Sequence, residues 1–169
     1  MGNKTIPVID LFAGPGGLAE GFSSVFQKNN KRVFDIKLSI EKDENAHKTL
    51  ELRSFYRQFE KANLPEEYYD LIKETNLSSR EDKRQELFEK YPKEAKKAKT
   101  EAWCCELGSE KYPNELIDKR IQDGLKKRKD WVLIGGPPCQ AYSLAGRSRV
   151  GGIDNEDHRV FLYKEYLRI

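Results

Sequence analysis

The sequence predicts an α/β fold, a parallel sheet flanked by helices. Three observations predict it. Short apolar runs at Val8 to Phe12, Val33 to Ile40, Ala102 to Cys105 and Trp131 to Gly135 alternate with stretches of helical periodicity. The first run enters the turn Ala13-Gly14-Pro15-Gly16-Gly17, and the last enters Gly135-Gly136-Pro137-Pro138-Cys139-Gln140. Strands alternating with helices lie parallel, with helices on both faces of the sheet.

The first strand, Val8 to Phe12, hands over to the glycine turn, and a helix is expected beyond it with Leu18, Phe22, Val25 and Phe26 on one face. Val33 to Ile40 alternates in part and reads as the second strand, ending in Glu41. Asp43 is placed to cap the next helix, in which Ala46, Leu50 and Leu52 face the core. Residues 53–100 are dense in Glu, Lys and Arg, carry scattered aromatics, and are punctuated by Pro65 and Pro92. They read as a helical insertion packed at the sheet edge. Lys93, Lys96, Lys97 and Lys99 read first as a solvated helix face and second as a patch facing DNA.

Ala102 to Cys105 is the third strand, with Glu106 at its end. Ile117, Ile121 and Leu125 recur every fourth residue after Pro113, and Lys126-Lys127-Arg128-Lys129 then meets the negative end of that helix. Trp131 to Gly135 is the fourth strand. A loop rich in Gly, Ser and Arg fills 141–157, and a helix is expected from about His158 onward with Phe161, Leu162, Tyr166 and Ile169 apolar.

The 169 residues suffice for one domain with a core, and 35% charged residues make it rich in polar surface. No apolar run approaches the roughly 20 residues of a membrane helix. The start, Met1-Gly2-Asn3-Lys4-Thr5-Ile6-Pro7, lacks the apolar stretch of a secretory signal, so a cytoplasmic location is expected. The 3 cysteines match no zinc spacing and suit no disulfide scaffold, and no metal site is expected. A net charge of +3 is too small to argue nucleic-acid binding by itself. His47 and His158 have no partner in the sequence and read as surface residues.

Ligands of parallel sheets bind at the carboxyl ends of the strands. The glycine turn, Glu41, Glu106 and Cys139 all fall on that edge. Gly14, Gly16 and Gly17 let the backbone approach a ligand, and the following helix aims its N–H groups at an anionic part of it. Glu41 stands where a ribose-binding acid is expected, about 20 residues beyond the glycines. These features fit a nicotinamide or flavin enzyme as well as a methyltransferase.

Asp10-Leu11-Phe12-Ala13-Gly14-Pro15-Gly16-Gly17-Leu18 resembles the first motif of DNA cytosine-5 methyltransferases. Gly136-Pro137-Pro138-Cys139-Gln140-Ala141-Tyr142-Ser143 resembles their nucleophile motif. Asp157-His158-Arg159 to Leu162, with Glu165 to Ile169 beyond, is similar to the helix after their catalytic loop. The resemblance covers the N-terminal portion of that catalytic domain, interrupted by the charged insertion, and implies a Rossmann-like fold that binds S-adenosylmethionine.

Carried over by position, the resemblance sets Phe12 against the adenine, brings the backbone of Ala13, Gly14 and Gly16 near the methionine part, and includes Gly17 and Leu18 in the cofactor site. It assigns the ribose hydroxyls to Glu41. Glu106, followed by Leu107, stands where the family has Asp facing the adenine amine. Pro138 and Leu162 complete the cofactor residues, and Cys139 is the catalytic nucleophile. Its thiolate adds to cytosine C6 and makes C5 reactive, the methyl is transferred, the C5 proton leaves and the thiol is expelled. Enzymes that methylate exocyclic amines carry Asn or Asp before the Pro-Pro, where this chain has Gly136. The loop would close over a base flipped from double-stranded DNA, with Gln140, Ser143, Arg147 and Arg149 at the nucleic acid.

The family's Glu-Asn-Val motif, a target-recognition domain and a closing C-terminal helix are not found in these residues. The expectation is therefore one portion of a bacterial restriction–modification enzyme, inactive without a C-terminal half. A transfer-RNA cytosine methyltransferase, a binding fragment without chemistry and, more distantly, a nicotinamide oxidoreductase remain as alternatives.

Overall fold

The computed structural model describes residues 4–60, 63–137 and 162–169. Four parallel strands form one sheet in the order β3-β2-β1-β4. They are β1 (Ile6–Leu11), β2 (Phe34–Glu41), β3 (Ala102–Cys104) and β4 (Val132–Gly135). Among the described residues the helices are α1 (Gly17–Ser23), α2 (Glu44–Arg57), α3 (Glu66–Lys73), α4 (Leu77–Lys90), α5 (Pro92–Glu101), α6 (Asn114–Leu125) and α7 (Leu162–Arg168). This is the Rossmann-like architecture of methyltransferases. No helix among the described residues is long and apolar enough to cross a membrane.

The chain builds outward from β1 to β2 and β3, then returns to lay β4 on the other side of β1. The order therefore reverses between β1 and β4, and a crevice opens at the carboxyl ends of such a pair. Leu11 and Gly135 face each other there. A Cβ on Gly135 would lie 2.1 Å from the Leu11 carbonyl oxygen, so only glycine lets these two strand ends run side by side.

The partial alternation of β2 has a structural cause. Its pairing with β1 slips by one residue between Val8 and Ile9, where Ile36 is followed by Leu38 in the register. The extra residue reverses the side-chain faces. Ile36 joins Val8, Ala19 and Ile134 in one core cluster. Leu38 and Ile40 join Ile9, Leu11, Cys105, Leu107 and the α6 residues Ile117, Ile121 and Leu125 in the other.

Helix α1 is shorter than the apolar spacing predicts. It ends at Ser23, and Phe26 instead forms an isolated antiparallel bridge with Arg32. Leu18, Val25 and Phe26 are about half exposed, while Phe22 packs edge-on against Phe34. Asp43 caps α2 by accepting from the Ala46 N–H at 2.8 Å.

Leu50 and Leu52 are both buried although they project from different sides of α2. Helices α3, α4 and α5 cover its outer side and enclose a second core of Leu52, Phe55, Leu71, Leu87, Phe88, Ala95 and Ala98. The charged segment is thus a three-helix layer with an apolar interior. Arg57 ties it to the sheet layer: its buried guanidinium pairs with Glu20 of α1 and Glu101 of α5.

Candidate functional site

A cavity of ≈ 160 Å³ opens at the carboxyl edge, lined by Phe12, Ile40, Glu41, Lys42, Cys105, Glu106, Leu107, Gly136 and Leu162. Every strand contributes the residues at or just past its end. The volume is below the roughly 300 Å³ of a complete small-molecule site, so it suits one ring system with the remainder of a ligand lying along the edge. Its walls are mostly apolar, with two carboxylates and one ammonium, a composition suited to a flat heterocycle bearing polar substituents.

Phe12 takes the left-handed conformation, φ 53°. A bulky residue rarely does so without support from its surroundings. Here the turn aims the ring into the cavity instead of continuing the β1 alternation. Ala13 then bonds back to the sheet, its N–H donating to the Ile40 carbonyl at 2.9 Å. Gly14 and Gly16 also take positive φ, 55° and 88°. Among the described residues a Cβ on Gly14 would meet nothing within 4 Å, so these leave open space in front of its backbone.

The Glu41 carboxylate is held at both oxygens. Oε2 accepts from the Gly14 N–H at 2.7 Å and Oε1 from the Asp43 N–H at 2.8 Å. Two backbone donors fix its orientation, and each oxygen keeps a lone pair for a ligand hydroxyl. Glu106 lies on the opposing side, and its Oε1 is 3.1 Å from the Lys42 ammonium.

The cavity thus brings together Phe12, Glu41, Glu106, Leu107 and Leu162 of the residues expected at a cofactor. Gly14 joins through its bond to Glu41. Ala13 packs behind with Leu50 and Ala102. Gly16 and Gly17 set the start of α1. Leu18 is half exposed and does not line the cavity. Cys139, Pro138, Gln140, Ser143, Arg147 and Arg149 lie outside the described residues.

Ile40, Lys42 and Cys105 line the cavity without having been singled out for a ligand. Each directly neighbours, in sequence, a residue that was, and strand-end geometry was the available signal. Asp10 is a further unanticipated feature. It is fully buried, and neither carboxylate oxygen has a partner among the described residues. Burial pushes its pKa up to about 7, against the pull of Arg57 and with a smaller push from Glu41. His47 is half-buried, its Nε2 3.4 Å from the Ala102 carbonyl.

The chain is 35% identical over 172 residues to the type II methyltransferase M.Bpa9945I of Bacillus paralicheniformis, an alignment covering 96% of this chain and 37% of the relative. It is 41% identical over 54 residues to the type II methyltransferase M1.HphI of Haemophilus parahaemolyticus, covering 32% of this chain and 14% of that one. The chain thus spans little more than a third of the first relative's length and less of the second's. No protein-family model matches it, and no solved structure does.

Proposed function

We propose that this chain is the cofactor-binding and nucleophile-bearing portion of an enzyme that methylates C5 of cytosine in DNA, within a bacterial restriction–modification system. The observation that carries the reading is the carboxyl-edge cavity, in which Phe12, the doubly held Glu41, Glu106, Leu107 and Leu162 converge. Gly136, which leads into Pro137-Pro138-Cys139, opens onto the same space. The relatives' type II methyltransferase names support methylation of DNA.

The residues fit S-adenosylmethionine. Phe12 offers an aromatic surface to the adenine, Glu41 offers two oriented acceptors to the ribose hydroxyls, and Glu106 offers an acceptor to the exocyclic amine. The open backbone at Gly14 leaves room for the methionine part. When bound, the cofactor supplies an electrophilic methyl group on a sulfonium. Cys139 is the nucleophile: its thiolate adds to cytosine C6 and shifts electron density to C5, C5 takes the methyl group, its proton passes to a base, and the C6–S bond breaks to release the thiolate. Gln140, Ser143, Arg147 and Arg149 contact the nucleic acid around the extruded base.

The test is covalent trapping. The full-length protein, given S-adenosylmethionine and duplex DNA containing 5-fluorocytosine, should form an adduct that survives denaturation, and Cys139→Ser should form none. Methyl groups found on an exocyclic amine of adenine or cytosine, or no adduct with Cys139 intact in folded enzyme, would overturn the reading. Trapping on transfer RNA and not on DNA would move the substrate.

A further inference from the structure

A second cleft of ≈ 580 Å³ abuts the first, lined in part by Asp43, Asn45, Cys104, Ser109, Lys111 and Tyr112. The two clefts share Lys42, Cys105 and Glu106. Cys105 is buried and forms floor. What stands above it is the Lys42–Glu106 ion pair, 3.1 Å between Nζ and Oε1. The pair is therefore a partition between a ring-sized cavity and a roomier, more polar one.

The adenosyl reading of the first cleft supplies the orientation. A purine with one exocyclic amine carries its donor there, and the acceptor at the partition is the Glu106 carboxylate. An amine facing Glu106 lies beside the Lys42–Glu106 pair, with the second cleft beyond it. Substituents on that amine would have to pass through the pair.

We propose that the Lys42–Glu106 pair determines cofactor specificity at the adenine amine, closing the site to N6-substituted adenosyl compounds, and that the second cleft becomes their subsite once the pair is opened. Both side chains are close to half exposed, 49% and 41%. An ion pair so exposed contributes little to stability, so it can be removed without unfolding the chain. Its role is steric, and rejection of the larger compound comes from a clash. The stem of Lys42 supplies the body of the partition and the bond to Glu106 holds the stem in place.

The experiment compares the Kd of S-adenosylhomocysteine with that of its N6-benzyl derivative, by calorimetry, for the full-length protein and for Lys42→Ala and Lys42→Met, with melting temperatures to confirm folding. The native protein should disfavour the benzyl compound by about tenfold or more, and both variants should bring the two within about threefold. Lys42→Met is expected to behave like Lys42→Ala, since its stem is no longer held. Equal binding by the native protein, or a ratio unchanged in folded variants, would overturn the proposal while leaving the adenosyl site intact. Failure of the native protein to bind either compound would instead remove the adenosyl reading on which the proposal rests.

Discussion

The backbone N–H of Gly14 donates to the Glu41 carboxylate at 2.7 Å, and this bond ties the glycine turn after β1 to the end of β2. Since the Asp43 N–H holds the other oxygen, Glu41 organises both turns that frame the cavity. Glu41→Gln would keep one oxygen and set an amide NH₂ against a backbone donor. The Gly14 bond is part-buried and the Asp43 bond exposed, and setting a donor against a donor there loses about 1 kcal/mol or more. We expect S-adenosylhomocysteine binding to weaken by roughly 10- to 100-fold, read by calorimetry. Unchanged affinity would show that Glu41 does not hold the ligand.

The glycines divide by what surrounds them. A Cβ on Gly135 would sit 2.1 Å from the Leu11 carbonyl oxygen and 3.1 Å from Tyr166 Cε2, and backbone cannot yield as a side chain can. Gly135→Ala should destabilise by more than about 4 kcal/mol, in the range reserved for broken packing. Gly17→Ala meets nothing within 4 Å among the described residues and should change stability by no more than about 0.5 kcal/mol. Chemical denaturation of the two variants separates them, and similar stabilities would refute the close approach of β1 and β4.

Asp10 makes stability depend on pH. Burial, with a smaller push from Glu41 and against the pull of Arg57, raises its folded pKa from 3.8 to about 7, so the folded state holds the proton more tightly than the unfolded one. Between those values the unfolded state binds fewer protons, and stability falls as pH rises. Below the range the group is neutral in both states, and above it the deficit is complete. Asn in its place never ionises. The advantage of Asp10→Asn over the native protein should grow between pH 4 and pH 8 toward a ceiling of about 4 kcal/mol. Urea melts at pH 5 and pH 8 measure it, and a difference independent of pH would contradict it.

Arg57 carries two carboxylates on one buried guanidinium, with Glu20 on α1 and Glu101 on α5. Burial pushes the Glu101 carboxyl up while Arg57 opposes it. Arg57→Met would leave the buried Glu101 carboxylate with the Gln58 amide but no counter-charge, at a cost of about 3–5 kcal/mol. Adding Glu101→Gln should recover part of that loss. A double variant no more stable than the single would show that Arg57 acts through packing alone.

The order of strands and helices could be read from the chain because four apolar runs are set apart by amphipathic or polar stretches. Asp43 and the Ile117, Ile121, Leu125 face follow local rules and appear where those rules put them. What failed to show was set by contacts outside each element. The end of α1 depends on Phe26 meeting Arg32, the reversal of faces in β2 on its pairing with β1, and the burial of both Leu50 and Leu52 on a helical layer lying over α2. At the site, Phe12, Glu41, Glu106 and Leu162 were readable from motif and strand end. Lys42 was not, because a lysine beside a strand end carries no signal until Glu106 is seen to hold it.

Thiol chemistry is unevenly distributed along the chain. Cys105 is pushed up to about 12 by burial, reinforced by Cys104 and Glu106, and Cys104 is pushed up by burial and by Glu44 and Glu41. At pH 7.5 a thiol with a pKa of about 12 is ionised in roughly one molecule in thirty thousand, and only the thiolate is an effective nucleophile. Cys105 can therefore line the cavity without competing for an electrophile there. If Cys139 is the catalytic thiol, native protein treated with iodoacetamide at pH 7.5 should be labelled there first, at least about tenfold faster than at the other two. Peptide mapping over time reads the order. Faster labelling at Cys104 or Cys105 would mean that burial does not silence them, and would remove the chemical reason for assigning nucleophilic work to Cys139.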